Sequence, residues 1–315
     1  MNARQATLLA VLAAVWGSSY LLIKYALDGF SPAEVVCIRT AVAGVVLWVV
    51  LRAQGEPAAK TWNDMKARPW LALLFGAIGI AVPFLLISYG ELEVPSGLTA
   101  ILIAPAPLLV ALLAPLIDHD ERIQGSQGIG LVVGIVGVAL VVGIEFVDSW
   151  VELIAAIGII GAALCYAIAG FIVKGNYSAL PAIGTSAISC TVAAILTLPF
   201  ALATAKGQSA DAGAIAAAVC LGVVQTALAL AILYRLIGEI GPGRANLVNY
   251  LIPGVALAYG AIFRDEEITV AAIAGLALIL VGVGLASRKP GAAEPEPEVE
   301  VGTPAGDVAT DAPRS

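Results

Sequence analysis

Between residues 6 and 286, continuously apolar runs of roughly 20 residues are separated by short clusters of charge, proline and glycine. A hydrocarbon slab about 30 Å thick needs about 20 apolar residues per helical crossing. Runs of that kind fall at 6–27, 33–52, 70–90, 95–117, 126–143, 151–174, 181–203, 213–236, 243–263 and 268–286. None alternates with a strand's period, and each is about twice the length of a barrel strand, so the pattern predicts helices. The count is ten, or nine where neighbouring runs almost touch at 27–33 and 90–95. The first run is too long for the apolar core of a signal peptide and continues through Lys24 into the second, so it is expected to be retained.

Composition supports an all-α integral membrane protein. The chain is 60% hydrophobic and 12% charged, with a mean hydropathy of +0.97, more apolar surface than a soluble core can hide. Residues 289–315 change character: "GAAEPEPEVEVGTPAGDVATDAPRS" has proline and acid but almost nothing to bury, which predicts disorder. Six of the acidic residues behind the net charge of −7 lie there, so the acidic balance says little about a substrate.

Orientation follows from lysine and arginine. With the N-terminus inside, Arg4, Arg52, Lys60, Lys66, Arg68, Arg122, Lys174, Arg235, Arg244, Arg288 and Lys289 fall on the cytoplasmic side, against Lys24, Arg39, Lys206 and Arg264. Both termini are expected to be cytoplasmic in a multi-pass protein of the cell (inner) membrane.

An internal repeat organises the spans. "HDERI" at 119–123 returns as "RDEEI" at 264–268. A shift of 145 places Tyr89 on Tyr234, Asp120 on Asp265, Gly130 on Gly275 and Gly137 on Gly282, and a shift of 146 places Pro107 on Pro253. Earlier in each half, a shift of 150 places Trp16 on Tyr166 and Lys24 on Lys174. The expected units are 1–145 and 146–288, followed by the tail at 289–315. Five spans per unit is an odd number, so the second copy enters from the opposite side, an inverted repeat of the kind that encloses a midplane site.

The segments "WGSSYLLIKYAL" (16–27), "SPAEVVCIRTAVAG" (31–44), "PLLVALLAPLIDHDERI" and "PGVALAYGAIFRDEEI" resemble the EamA family of the drug/metabolite transporter superfamily. Where the family pattern has an apolar residue and glycine before the glutamate closing the fourth and ninth spans, this chain has His119-Asp120 and Arg264-Asp265. The resemblance implies secondary transport of small metabolites, often export, through a cavity between two five-helix halves.

Candidate site residues are uncharged and deep. Asn246, Asn249, Tyr250 and Pro253 recur at i, i+3, i+4 and i+7, which puts two amides and a phenol on one helix face. Their counterparts Ala100, Ile103, Ala104 and Pro107 keep only the proline, so the predicted cavity is polar on one wall. The amides either contact substrate or join neighbouring helices. Trp16, Tyr20 and Tyr166 are too deep for a headgroup belt and either line the cavity or pack. Gln225 is a ligand or a helix contact. Pro107 and Pro253 can loosen their helices, and Tyr89 and Tyr234 are gates or interfacial anchors.

Arg39 is the most expensive residue inside a span, because a central charge costs roughly 2.5–3.5 kcal/mol. Glu34 is too far round the helix to pair with it, so a partner on another helix or a headgroup is expected to neutralise it, with substrate binding the lesser alternative. Lys24 and Lys174 are expected to snorkel. Cys37, Cys165, Cys190 and Cys220 lack disulfide or metal spacing, and "DHDE" at 118–121 is solvated charge rather than a metal site. Gly130 and Gly134 suit close helix packing.

No phosphate loop, HExxH motif or Asp-rich magnesium pair is present. An enzyme, a cofactor, an ATPase subunit and a nucleic-acid partner are therefore not expected. The expected partners are a small-molecule substrate and the bilayer, with oligomeric state left open. An amino acid or related amphipathic compound fits best, with a drug-like cation or a non-transporting assembly role as alternatives. The absence of a central carboxylate counts against cations, and energy coupling is undetermined.

Overall fold

The computed structural model describes residues 1–54, 63, 69–117, 123, 125–146, 149–176, 182–205 and 210–287. Among them the regular structure is entirely helical. Nine helices are long and apolar enough to cross a membrane. They are α1 (Ala3–Leu27), α2 (Pro32–Ala53), α3 (Pro69–Gly90), α4 (Ser96–Ile117), α5 (Ser126–Glu145), α6 (Trp150–Asn176), α7 (Ala182–Ala203), α8 (Ala212–Ile240) and α9 (Gly243–Arg264). A shorter apolar helix, α10 (Val270–Ala286), has 17 residues. The acidic tail, the first acidic cluster at 118–122 and Lys206 lie outside the described residues, as does the side chain of Lys174.

Local chemistry separates the runs that nearly touch. Ser31 and Glu34 form a capping box around Pro32: Ser31 N–H donates to Glu34 Oε2 (2.8 Å) and Glu34 N–H to Ser31 Oγ (3.3 Å). The second gap holds the end of α3 at Gly90 and Pro95 as the residue before α4. Glu266, in the second acidic cluster, reaches across to the start of α4. Its carboxylate accepts from Ser96 N–H (2.9 Å), Ser96 Oγ (3.0 Å) and Gly97 N–H (3.0 Å). That acid is a helix cap supplied from 170 residues away, not merely solvated charge ending a span.

Two helices contain π-helical stretches, Ala77–Ala81 in α3 and Leu221–Leu228 in α8. The first precedes Pro83, whose ring cannot sit over the carbonyl four residues back. In the second, Thr226 Oγ1 donates to Leu221 O at 2.9 Å. Helix α4 is interrupted at Ala104-Pro105 and α9 at Asn246-Leu247.

Helices α5 and α10 cross backbone to backbone. A Cβ at Gly130 would lie 2.5 Å from the Gly282 carbonyl oxygen, and one at Gly137 would lie 2.9 Å from that of Gly275. Such approach is available only to glycine. Elsewhere in the bundle, α1 packs on α8 and α9, α6 on α3 and α4, α2 on α7 and α8, and α3 on α7. Asp28 and Arg264, 3.2 Å apart, join the C-terminal ends of α1 and α9. Arg4 and Glu239, also 3.2 Å apart, join the start of α1 to the end of α8 at the opposite end of the bundle.

A central cavity with one charged residue

The helices leave a cavity of about 840 Å³ at the centre of the bundle. It is lined by Trp16 and Tyr20 from α1, Tyr166 from α6, Gln225 and Tyr234 from α8, and Asn246, Asn249 and Pro253 from α9, with Pro107 of α4 opposite. Nine of the residues singled out in sequence thus meet around one space. Tyr89 and Tyr250 do not line it. Tyr89 is exposed near the end of α3, and Tyr250 packs toward α10, its hydroxyl 3.4 Å from Ser287 Oγ.

Each aromatic and amide is held differently. Trp16 Nε1 donates to the Gln225 carbonyl at 3.0 Å, and Gln225 Nε2 donates to Ser18 Oγ at 3.1 Å. Gln225, only 4% exposed, is therefore largely committed to joining α8 and α1. Tyr234 Oη lies 2.7 Å from Ser186 Oγ of α7. Asn246 sits in the turn before the main part of α9, which begins at Val248, so the i, i+3, i+4, i+7 series is not carried by one continuous helix. Asn249 N–H donates to the Asn246 carbonyl at 3.0 Å, and that turn still aims both amides at the cavity.

Among the described residues, Arg39 is the only charged one lining the cavity. It is 8% exposed. Its Nε donates to Thr226 Oγ1 at 2.9 Å, and its Cζ stands 4.0 Å from the centre of the Phe84 ring. Neither contact neutralises it, and among the described residues no ion pair joins it to a carboxylate. Thr226 belongs to the π-helical stretch of α8, so the helix irregularity sets the guanidinium's position. Phe84, Thr226 and the hydroxyls of Ser19, Ser186 and Ser189 line the cavity without having been singled out in sequence. Arg39 was legible as a charge inside a span. Its partners were not, because they come from α3 and α8.

The cavity stops at Ile23 and Ile87 toward the end of the bundle holding Asp28 and Arg264, and extends to Ser287 and Asn246 toward the end holding Met1. Beyond the closed end, Lys24 does not snorkel free: its Nζ donates to the Glu91 carbonyl. Glu91 is 1% exposed, and neither carboxylate oxygen has a hydrogen-bond partner.

A bundle of long apolar helices around a central, mainly apolar cavity with a few convergent polar groups defines a multi-pass membrane protein with room for a small solute. Residues 4–143 and 153–288 match the model of the EamA-like transporter family, and the chain belongs to that family. It is 24% identical over 281 residues to an uncharacterised transporter of Archaeoglobus fulgidus, covering 89% of this chain and 98% of that one. It is 27% identical over 289 residues to a probable terminal-alkyne amino-acid exporter of Streptantibioticus cattleyicolor, covering 89% and 92%. A probable amino-acid metabolite efflux pump of Salmonella typhimurium is 24% identical over 294 residues, covering 90% and 94%. A crystal structure of another protein, 15% identical, matches 91% of this chain and 98% of its own with a TM-score of 0.66, which shows the fold alone.

Proposed function

We propose that this protein exports amino acids or closely related amphipathic metabolites by alternating access around the central cavity. The observation that carries this reading is the cavity itself: amides, phenols and an indole converge on one space with one guanidinium and an aliphatic wall. Such a lining suits a molecule with one apolar flank and one polar head. A multidrug cation exporter fits less well, because the lone charge in the cavity is positive. The exporter names of two relatives agree with the amino-acid reading.

In this reading, residues 1–145 and 146–288 are inverted five-helix halves and 289–315 is a cytoplasmic tail. The packing supports it, since exchanging the halves converts several of the main pairings into one another: α1 on α9 becomes α6 on α4, α1 on α8 becomes α6 on α3, and α2 on α8 becomes α7 on α3. The glycine contacts obey the same exchange, with Gly130 meeting Gly282 and Gly137 meeting Gly275. The π-helical stretches fall at equivalent places, since Ala77–Ala81 shifted by 145 lands on residues 222–226. Basic residues favour the Met1 end as cytoplasmic, so the cavity faces the cytoplasm, where an exporter loads. Tyr234 guards that mouth, and Tyr89 anchors at the interface.

The test is untargeted mass spectrometry of medium from cells overexpressing the protein, against Asn249→Ala and Trp16→Ala variants at equal membrane abundance. An excess of one metabolite class with the wild type alone is expected. Identical media in all three would sink the export reading.

A further inference from the structure

Arg39 makes a narrower statement about the substrate than the cavity does as a whole, and it rests on the transport reading above. A guanidinium carries five N–H donors in a fixed fork. Only Nε is engaged, by Thr226 at 2.9 Å, while the two Nη groups meet no acceptor among the described residues. Phe84 flanks the same group at 4.0 Å without supplying a negative charge. Among the described residues no aspartate or glutamate lines the cavity. Glu91, at the closed end, accepts no hydrogen bond from Arg39. A cation without an ion pair inside a membrane span is costly, and a fork with both Nη groups free is the geometry that receives an anion bidentately.

We infer that Arg39 is the substrate's anion-binding residue and that the transported molecule carries one carboxylate, seated on the Nη groups. One fixed cation balances one negative charge. A phosphate dianion would need a second cation, and none lines the cavity. If the substrate is an amino acid, its ammonium finds only neutral acceptors and aromatic faces, among them Tyr20, Tyr166 and Asn249. The apolar side chain then lies against the aliphatic wall of α4.

The experiment measures ligand-induced thermal stabilisation of the purified full chain with matched acid and amide pairs. The probes are leucine and leucinamide, phenylalanine and its amide, lactate and lactamide, with inorganic phosphate and tetraethylammonium alongside. At least one acid is expected to bind about tenfold or more tighter than its amide, the difference expected of a charge-assisted pair. Arg39→Gln should bring that ratio close to one, and Arg39→Lys should leave it intermediate. Thr226→Val keeps the charge but frees its anchor, and should reduce the ratio less than Arg39→Gln does. If Arg39→Gln does not accumulate, the lysine and valine variants carry the test.

Acid–amide parity in every pair overturns the assignment, as does tighter binding of phosphate or tetraethylammonium than of every carboxylate. An unchanged ratio in the Arg39 variants also overturns it. Parity together with a metabolite difference in the medium removes only the carboxylate and keeps transport. Acid selectivity without any difference in the medium removes export and keeps the anion site.

Discussion

At the scale of single residues, Glu266 shows how a charge that reads as ordinary surface acid can hold the fold. Its carboxylate accepts three hydrogen bonds at the N-terminus of α4, two of them from backbone amides at 2.9 and 3.0 Å. The next residue back, Asp265, takes a left-handed conformation with φ 52° to bring it there. Replacing an N-capping side chain by alanine costs about 0.5–2 kcal/mol. Glu266→Ala is accordingly expected to lower the unfolding temperature in detergent by a few degrees, and Glu266→Gln, which keeps an acceptor oxygen, by less. Equal loss in both variants would mean that charge, rather than acceptor geometry, is what α4 requires. The repeated acidic cluster was visible in sequence as a marker. Its task was not, because a cap from 170 residues away has no local signature. Arg39 is the reverse case: its cost announced it, while its partners among the described residues are a hydroxyl and a ring, neither of which neutralises it.

At the scale of helices, the apolar runs located the spans because length and hydropathy carry that information directly. The two close gaps separate cleanly, since Ser31-Pro32-Ala33-Glu34 is a capping signal that a hydropathy count ignores. What the period-3.6 pattern mishandled was α9, where a turn at Asn246-Leu247 displaces the first amide from the helix that carries the second. The π-helical stretches of α3 and α8 were also illegible, because they arise from long-range packing and Pro83 rather than from a motif. The spacing of Gly130 and Gly134, by contrast, signalled close helix packing, and the structure supplies the partner, α10. A Cβ at Gly282 would lie 2.5 Å from Gly134 N and 2.6 Å from the Gly130 carbonyl. Those neighbours are backbone, so the helices must separate. Gly282→Val is expected to abolish recovery of monodisperse protein, whereas Gly284→Ala, on the same helix with open space at its Cβ, should be neutral. Normal recovery of Gly282→Val would show that the two helices are not held in this crossing.

At the scale of the whole molecule, the two ends of the bundle differ in how they are closed. The cavity reaches the end bearing Met1 and stops short of the end where Asp28 meets Arg264 and Glu266 caps α4. Alternating access requires the second end to open. Its fastenings are modest: an ion pair with side chains 31% and 55% exposed, worth about 0–1 kcal/mol, the cap, and the Tyr25 hydroxyl donating to the Phe263 carbonyl at 3.1 Å. Binding of a solute can offset a cost of a few kcal/mol, enough to release these fastenings in the proposed cycle. We therefore expect that Asp28→Cys with Arg264→Cys, bridged by a short bifunctional thiol reagent, will stop transport and that reductant will restore it. The native Cys37, Cys165, Cys190 and Cys220 are replaced beforehand to keep the chemistry local. Each single cysteine variant should transport normally with the reagent present. Full transport through a chain whose bridge is verified by peptide mass spectrometry would mean that α1 and α9 stay together at this end throughout the cycle, and the gate would then have to be sought between α4 and α6 instead.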